Sequence, residues 1–185
     1  MIGLGVVLAG IAVIGAVESL AFVAILTAIE VGGLLLVVWA GFSAPPSPDW
    51  VQPGGFHLPG VVGATIFAFF AFLGFDDLVN MAEEARHPAR QMPRAILWSL
   101  AMTAGLYALV SLAAVRAVPL AELGVSERPL VLVWSAATGG AGAFLSAIAV
   151  AAALNGVLAQ MVMSARVLFG LGRRSPWLGP FHHAH

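Results

Sequence analysis

From Pro129 to Ala165 the chain carries no charged residue, Ala95 to Val115 carries none either, and Leu20 to Phe42 holds a single one, Glu30. A hydrocarbon layer about 30 Å thick is crossed by about 20 apolar residues in a helix. Hydrocarbon offers backbone N–H and C=O groups no partner, so a segment inside it must satisfy its own hydrogen bonds, and uncharged runs of this length do so as helices. Composition removes the soluble alternative: 61% of residues are apolar and 9% charged, where a soluble domain has about 25% charged residues to cover its surface. An all-α, multi-pass membrane protein is the expected fold class. With a net charge of −1 and no lysine, nothing points to nucleic acid. Cysteine is absent, which excludes disulfides and thiol chemistry. The first apolar stretch lacks a basic leader and a small-residue cleavage site, which argues against a signal peptide.

Four full spans and one partial span are expected within a single membrane domain: residues 1–17 (partial), 20–42, 58–82, 95–115 and about 141–168. The run from Pro129 is too long for one helix, and Gly139-Gly140 divides it into a short interfacial piece and a span. Ser43 to Pro59 contains five prolines and Asp49-Trp50, the signature of an irregular loop with an interfacial aromatic anchor.

The third of these spans holds the most informative stretch, Phe67-Ala68-Phe69-Phe70-Ala71-Phe72-Leu73-Gly74-Phe75-Asp76-Asp77, followed by Glu83-Glu84-Ala85-Arg86-His87-Pro88 and Gln91-Met92-Pro93-Arg94. Carboxylates at membrane depth cost several kcal/mol unless they face protein or water, so they are functional candidates by default. Gly74 offers a place to break the helix, and a broken helix at that depth is tolerated where it lines a cavity. Secondary transporters build substrate sites in this way.

The stretch resembles the sixth helix and following loop of the amino acid–polyamine–organocation (APC) permeases, with His87 where the family usually has Asn. Leu26 to Val31 with Gly33-Leu34-Leu35 resembles the family's fifth helix, and Ser164 to Phe169 running into Pro176-Trp177-Leu178-Gly179-Pro180 resembles the end of the eighth. The resemblance implies a fold of two inverted five-helix repeats, of which this chain would hold the tail of helix four through helix eight. A truncated permease is therefore expected, with an incomplete site. It implies a discontinuous helix near Phe72-Gly74 and secondary transport of amino acids or related amines, proton-coupled or by exchange, in the cell membrane.

On this resemblance Phe70, Ala71, Phe72, Leu73 and Gly74 are substrate-binding candidates. Unwinding leaves the Phe70, Ala71 and Leu73 carbonyls without intrahelical donors to receive an ammonium group, and Phe70 closes over it. Asp76 either caps the second half-helix or serves in coupling or gating. Asp77, Glu83 and Glu84 read as loop and cap partners of Arg86, Arg90 and Arg94. Pro88 is expected to end one helix and Pro93 to sit in the first turn of the next. Glu30 departs from family members that place a lysine here. It is either a neutral acid hydrogen-bonded to a neighbouring helix or a proton carrier or cation ligand. Asn155 either lines the cavity or joins helices; Gln160 and Ser164 do not share a stripe with it. His182, His183 and His185 lack an accompanying ligand set, so no metal or cofactor is assigned. An enzyme is not expected either, since Asp76 and Glu83 would lie about 10 Å apart along a helix. The competing reading is a membrane piece without activity of its own.

Arginine placement sets the orientation. Arg86, Arg90 and Arg94 lie between the second and third full spans, and Arg166, Arg173 and Arg174 at the end of the fourth, with only Arg116 and Arg128 on the other side. Positive residues concentrate in cytoplasmic loops. Single cysteines introduced at Ala89 and Pro48 should therefore react with an impermeant maleimide from opposite faces, Ala89 from the cytoplasm; labelling of both from one side would overturn the topology.

Overall fold

The computed structural model describes residues 16–51, 55, 57–74, 79 and 87–174. Its elements are α1 (Ala16–Ser43), α2 (Pro48–Val51), α3 (Leu58–Ala71), α4 (Pro88–Ala117), α5 (Leu120–Val125), α6 (Pro129–Thr138) and α7 (Ala143–Arg174), with no strand among the described residues. Three stretches are long and apolar enough to cross a membrane: Ala21–Ser43, Pro88–Ala117 and Ala143–Gly172. Large apolar side chains stand outward along them. Trp98 and Met102 on α4 are 70% and 71% exposed, a surface that suits lipid and would be an aggregation liability in water.

Local chemistry accounts for the ends. Pro88 takes the first helical position of α4, behind His87, where its fixed φ is favourable and its missing N–H is no loss. The expectation for the two prolines is thus corrected. Pro88 opens the helix, and Pro93 falls inside it, where Ala89 loses its helical donor. Further along, α6 stops at Thr138, where Gly139 adopts φ +68° and donates its N–H to the Ser135 carbonyl at 2.8 Å. A left-handed residue of this kind favours glycine. After it, Trp134 and Phe144 stack edge to face at 4.8 Å and hold the corner between α6 and α7.

The chain divides into two units, one of residues Met1–Glu30 with Ile148–His185 and one of Val31–Ala147. In the second, the last turns of α1 and α4 meet. Buried Gly33, Val37, Ala40 and Gly41 recur at helical spacing on α1, with buried Ala44 just past its end, and Ala113 and Ala117 are buried at the end of α4, followed by buried Val118. Small residues bring backbones close, which drives helix association where lipid is as apolar as the side chains. A Cβ added to Gly41 would lie 2.7 Å from the Ala113 carbonyl oxygen and 2.8 Å from its Cβ. Polar contacts lock the same place. Arg116 Nη1 donates to the Gly41 and Ala44 carbonyls at 2.8 and 2.6 Å, with its guanidinium 5.9 Å from the centre of the Phe42 ring. In return, buried Ser47 donates its hydroxyl to the Val115 carbonyl at 3.0 Å and its N–H to the Arg116 carbonyl at 2.7 Å. Asp49 Oδ2 then accepts the Leu120 N–H at 2.7 Å, capping α5.

Gly41→Ala should lower the unfolding free energy by about 1 to 3 kcal/mol, because the added methyl meets backbone that cannot step aside. Gly32→Ala, where nothing lies within 4 Å, should be neutral or slightly stabilising. Unfolding in mixed micelles measures both; equal effects would show that the approach at Gly41 is not tight.

Candidate functional site

Two polar constellations lie in the apolar helices, one in each unit. The first is the end of α3. That helix has 14 residues, or roughly 21 Å at 1.5 Å per residue, about two-thirds of a hydrocarbon layer. It stops at Ala71 and continues as a turn over Phe72, Leu73 and Gly74, with Gly74 at φ +112°. No side chain lies within 4 Å of a Cβ built there, so backbone conformation rather than space calls for glycine.

A helix end leaves four carbonyls without i+4 donors, and the turn accommodates part of that deficit. Phe72 N–H donates to the Phe69 carbonyl at 3.1 Å, and Leu73 N–H donates to Phe70 at 3.2 Å. Ala71 is served from another helix: Tyr107 of α4 donates its hydroxyl to that carbonyl at 3.0 Å. The Tyr107 ring also packs edge to face on Phe72 at 5.4 Å. Of the three carbonyls expected to lack intrahelical donors, then, Phe70 has a donor within the turn and Ala71 has a phenol. Helix ends tighten into such turns where they can, and here a donor from a second helix joins them. Phe70 itself is 61% exposed, next to Phe69 at 5.9 Å.

The second constellation joins α1 to α7 inside the other unit. Asn155 is 7% exposed, and its Nδ2 donates to Glu30 Oε1 at 2.8 Å and to Thr27 Oγ1 at 3.0 Å. Leu158 and Val162, one and two turns on, are buried on the same face of α7. Thr27 and Glu30 share a face of α1 because they are three residues apart. Two site candidates from distant parts of the sequence are thus brought into direct contact. Asn155 Oδ1 is buried with no hydrogen-bond partner among the described residues.

Asp76, Asp77, Glu83, Glu84, Arg86 and the three histidines lie outside the described residues. Arg90 and Arg94 are exposed on the first turns of α4, and Ser164 and Gln160 are exposed on α7. Sequence reasoning passed over Tyr107 and Thr27. Both had a signal. Tyr107 is the only tyrosine of the chain, in an otherwise uncharged span, and Thr27 stands one turn before a buried-span carboxylate.

These features define a multi-pass helical membrane protein with polar groups gathered at the end of α3 and at one helix pair. The comparison with known proteins then gives the family: residues 1–176 match the amino acid permease family, and the chain belongs to it. It is 27% identical over 171 residues to the methylthioribose transporter of Bacillus subtilis (strain 168), covering 92% of this chain and 37% of that protein. To the branched-chain amino acid permease BcaP of the same organism it is 32% identical over 143 residues, 76% of this chain and 30% of the relative. Cationic amino acid transporter 4 of Homo sapiens is 32% identical over 164 residues, 86% of this chain and 26% of the relative. The chain spans about a third of the length of these curated relatives. No solved structure matches it.

Tyr107→Phe keeps the ring contact with Phe72 and removes the only hydrogen bond drawn to the Ala71 carbonyl from α4. It should cost about 1 kcal/mol of unfolding free energy, and amide exchange at Leu73 and Gly74 should quicken. Unchanged stability and exchange would show that the turn holds itself without the phenol.

Proposed function

We propose that this chain forms part of a secondary active transporter for amino acids or related amines, working in the cell membrane by proton coupling or exchange. The observation that carries the reading is the end of α3 at Ala71, with Gly74 at φ +112°, in a member of the amino acid permease family. A helix C-terminus carries a partial negative charge in its carbonyls, and a substrate's ammonium group is the natural counterpart. Phe70, Ala71, Phe72, Leu73 and Gly74 supply that end, with the exposed Phe70 ring free to cover a bound substrate and Tyr107 holding the break open. Asn155 lines the path on α7, Glu30 carries the coupled proton, and Asp76 gates or caps the second half of the discontinuous helix. The five-plus-five inverted repeat of the APC permeases is the frame in which these parts work. The relatives' names suggest which substrates to try first: branched-chain and cationic amino acids.

Uptake of labelled amino acids from both sets by proteoliposomes containing the protein, with and without an inward pH gradient, tests the reading. Substrate should accumulate with the gradient. Gly74→Leu should reduce uptake at least tenfold with little loss of folded protein, since a side chain at that φ opposes the break. Glu30→Gln should remove accumulation driven by the gradient and spare exchange, because exchange needs no proton released. Uptake equal to that of empty liposomes for every substrate would overturn the proposal in favour of a membrane piece without activity of its own.

A further inference from the structure

We infer that Asn155 is a positioning residue that reads the protonation state of Glu30, its amide free to turn over only when the carboxyl group is neutral; this rests on the assignment of Glu30 as the coupling residue. A primary amide has two N–H donors at one end and a carbonyl acceptor at the other. Here the donor end faces Glu30 Oε1 at 2.8 Å and Thr27 Oγ1 at 3.0 Å. The acceptor end, Oδ1, is buried with no hydrogen-bond partner among the described residues, in a residue only 7% exposed. An unmatched buried acceptor of this kind asks for an explanation.

The bonding rules supply one. Against a carboxylate, only the N–H end can face Glu30, because turning the amide would set Oδ1 2.8 Å from an anionic oxygen. The ionised state therefore locks the observed orientation and leaves Oδ1 as the buried acceptor. Against a neutral acid the restriction lifts. The carboxyl O–H and the Thr27 hydroxyl can then both donate to a turned Oδ1, which has two lone pairs to receive them. Nδ2 moves to the place Oδ1 had held. One proton on α1 thus converts a buried spot beside α7 from an acceptor into a donor, with no helix displaced. Among the described side chains of this unit Glu30 is the only titratable one.

The test uses the whole chain in lipid nanodiscs. It has two asparagines, Asn80 and Asn155, so selective 15N-asparagine labelling yields two pairs of side-chain amide resonances, and Asn155→Ser identifies which belong to Asn155. On titration these should move with the same midpoint as the 13C-labelled carboxyl of Glu30, and the movement should vanish in Glu30→Gln. Should Glu30→Gln fail to fold, coincidence of the two midpoints in the unaltered chain carries the same weight. An Asn155 resonance that stays fixed while Glu30 titrates overturns the inference, as does one that still moves in Glu30→Gln. Sodium at constant pH producing the same movement also overturns it, since the amide would then be reading a cation. Transport plays no part in this measurement. A positive result beside undisturbed gradient-driven uptake in Glu30→Gln would reject the coupling role and keep the switch.

Discussion

Two helix C-termini meet at one guanidinium in this protein, and the arrangement of the second unit follows from it. The carbonyl end of a helix behaves as roughly half a negative charge, so bringing the ends of α1 and α4 together without a cation would set two like charges side by side in a medium that screens them poorly. Arg116 removes the conflict by donating to Gly41 and Ala44 from the last turn of α4. The exchange is mutual, since Ser47, just past α1, satisfies Val115 and Arg116 on α4. Only small residues allow the approach these bonds need. A glycine at position 41 facing Ala113 is therefore part of the same device as the arginine.

The end of α3 obeys the same rule with a weaker partner. Carbonyls at a helix end inside hydrocarbon must be bonded to something. At Ala71 that partner is a phenol, which is neutral and can let go at lower cost than an arginine. The contrast separates two kinds of helix end: one closed by a permanent charge, one closed by a neutral donor.

Much of the architecture was legible because charge is so scarce here. Uncharged runs point to helices whatever their partners, and Gly74 stands out as the glycine that follows an aromatic run and precedes two acids. Glu30 and Asn155 were each conspicuous as polar residues in apolar spans. Their contact was not, because 125 residues separate them and nothing local encodes which faces of α1 and α7 meet. Tyr107 escaped notice for a different reason: a phenol counts as apolar in a tally of spans, and its hydroxyl matters only once a bare carbonyl is placed beside it. Arg116 was counted as a flanking charge, whereas its role depends on a partner in α1. The two prolines of α4 competed for one first turn, and position in the sequence alone does not say which takes it.

Pro93 gives α4 an uneven stiffness. Near Ala117 the helix is fastened to α1 and to the turn after it by several bonds, while one rung is missing between Ala89 and Pro93. Bending follows the weakest section, so a push delivered from the segment before His87 is absorbed in the opening turn and a half of α4. The remaining length, roughly 35 Å at 1.5 Å per residue, keeps its line, and Tyr107 stays in register with Ala71. The proline acts as a mechanical fuse, isolating the contact of Tyr107 with the end of α3 from movement in the first turns of α4.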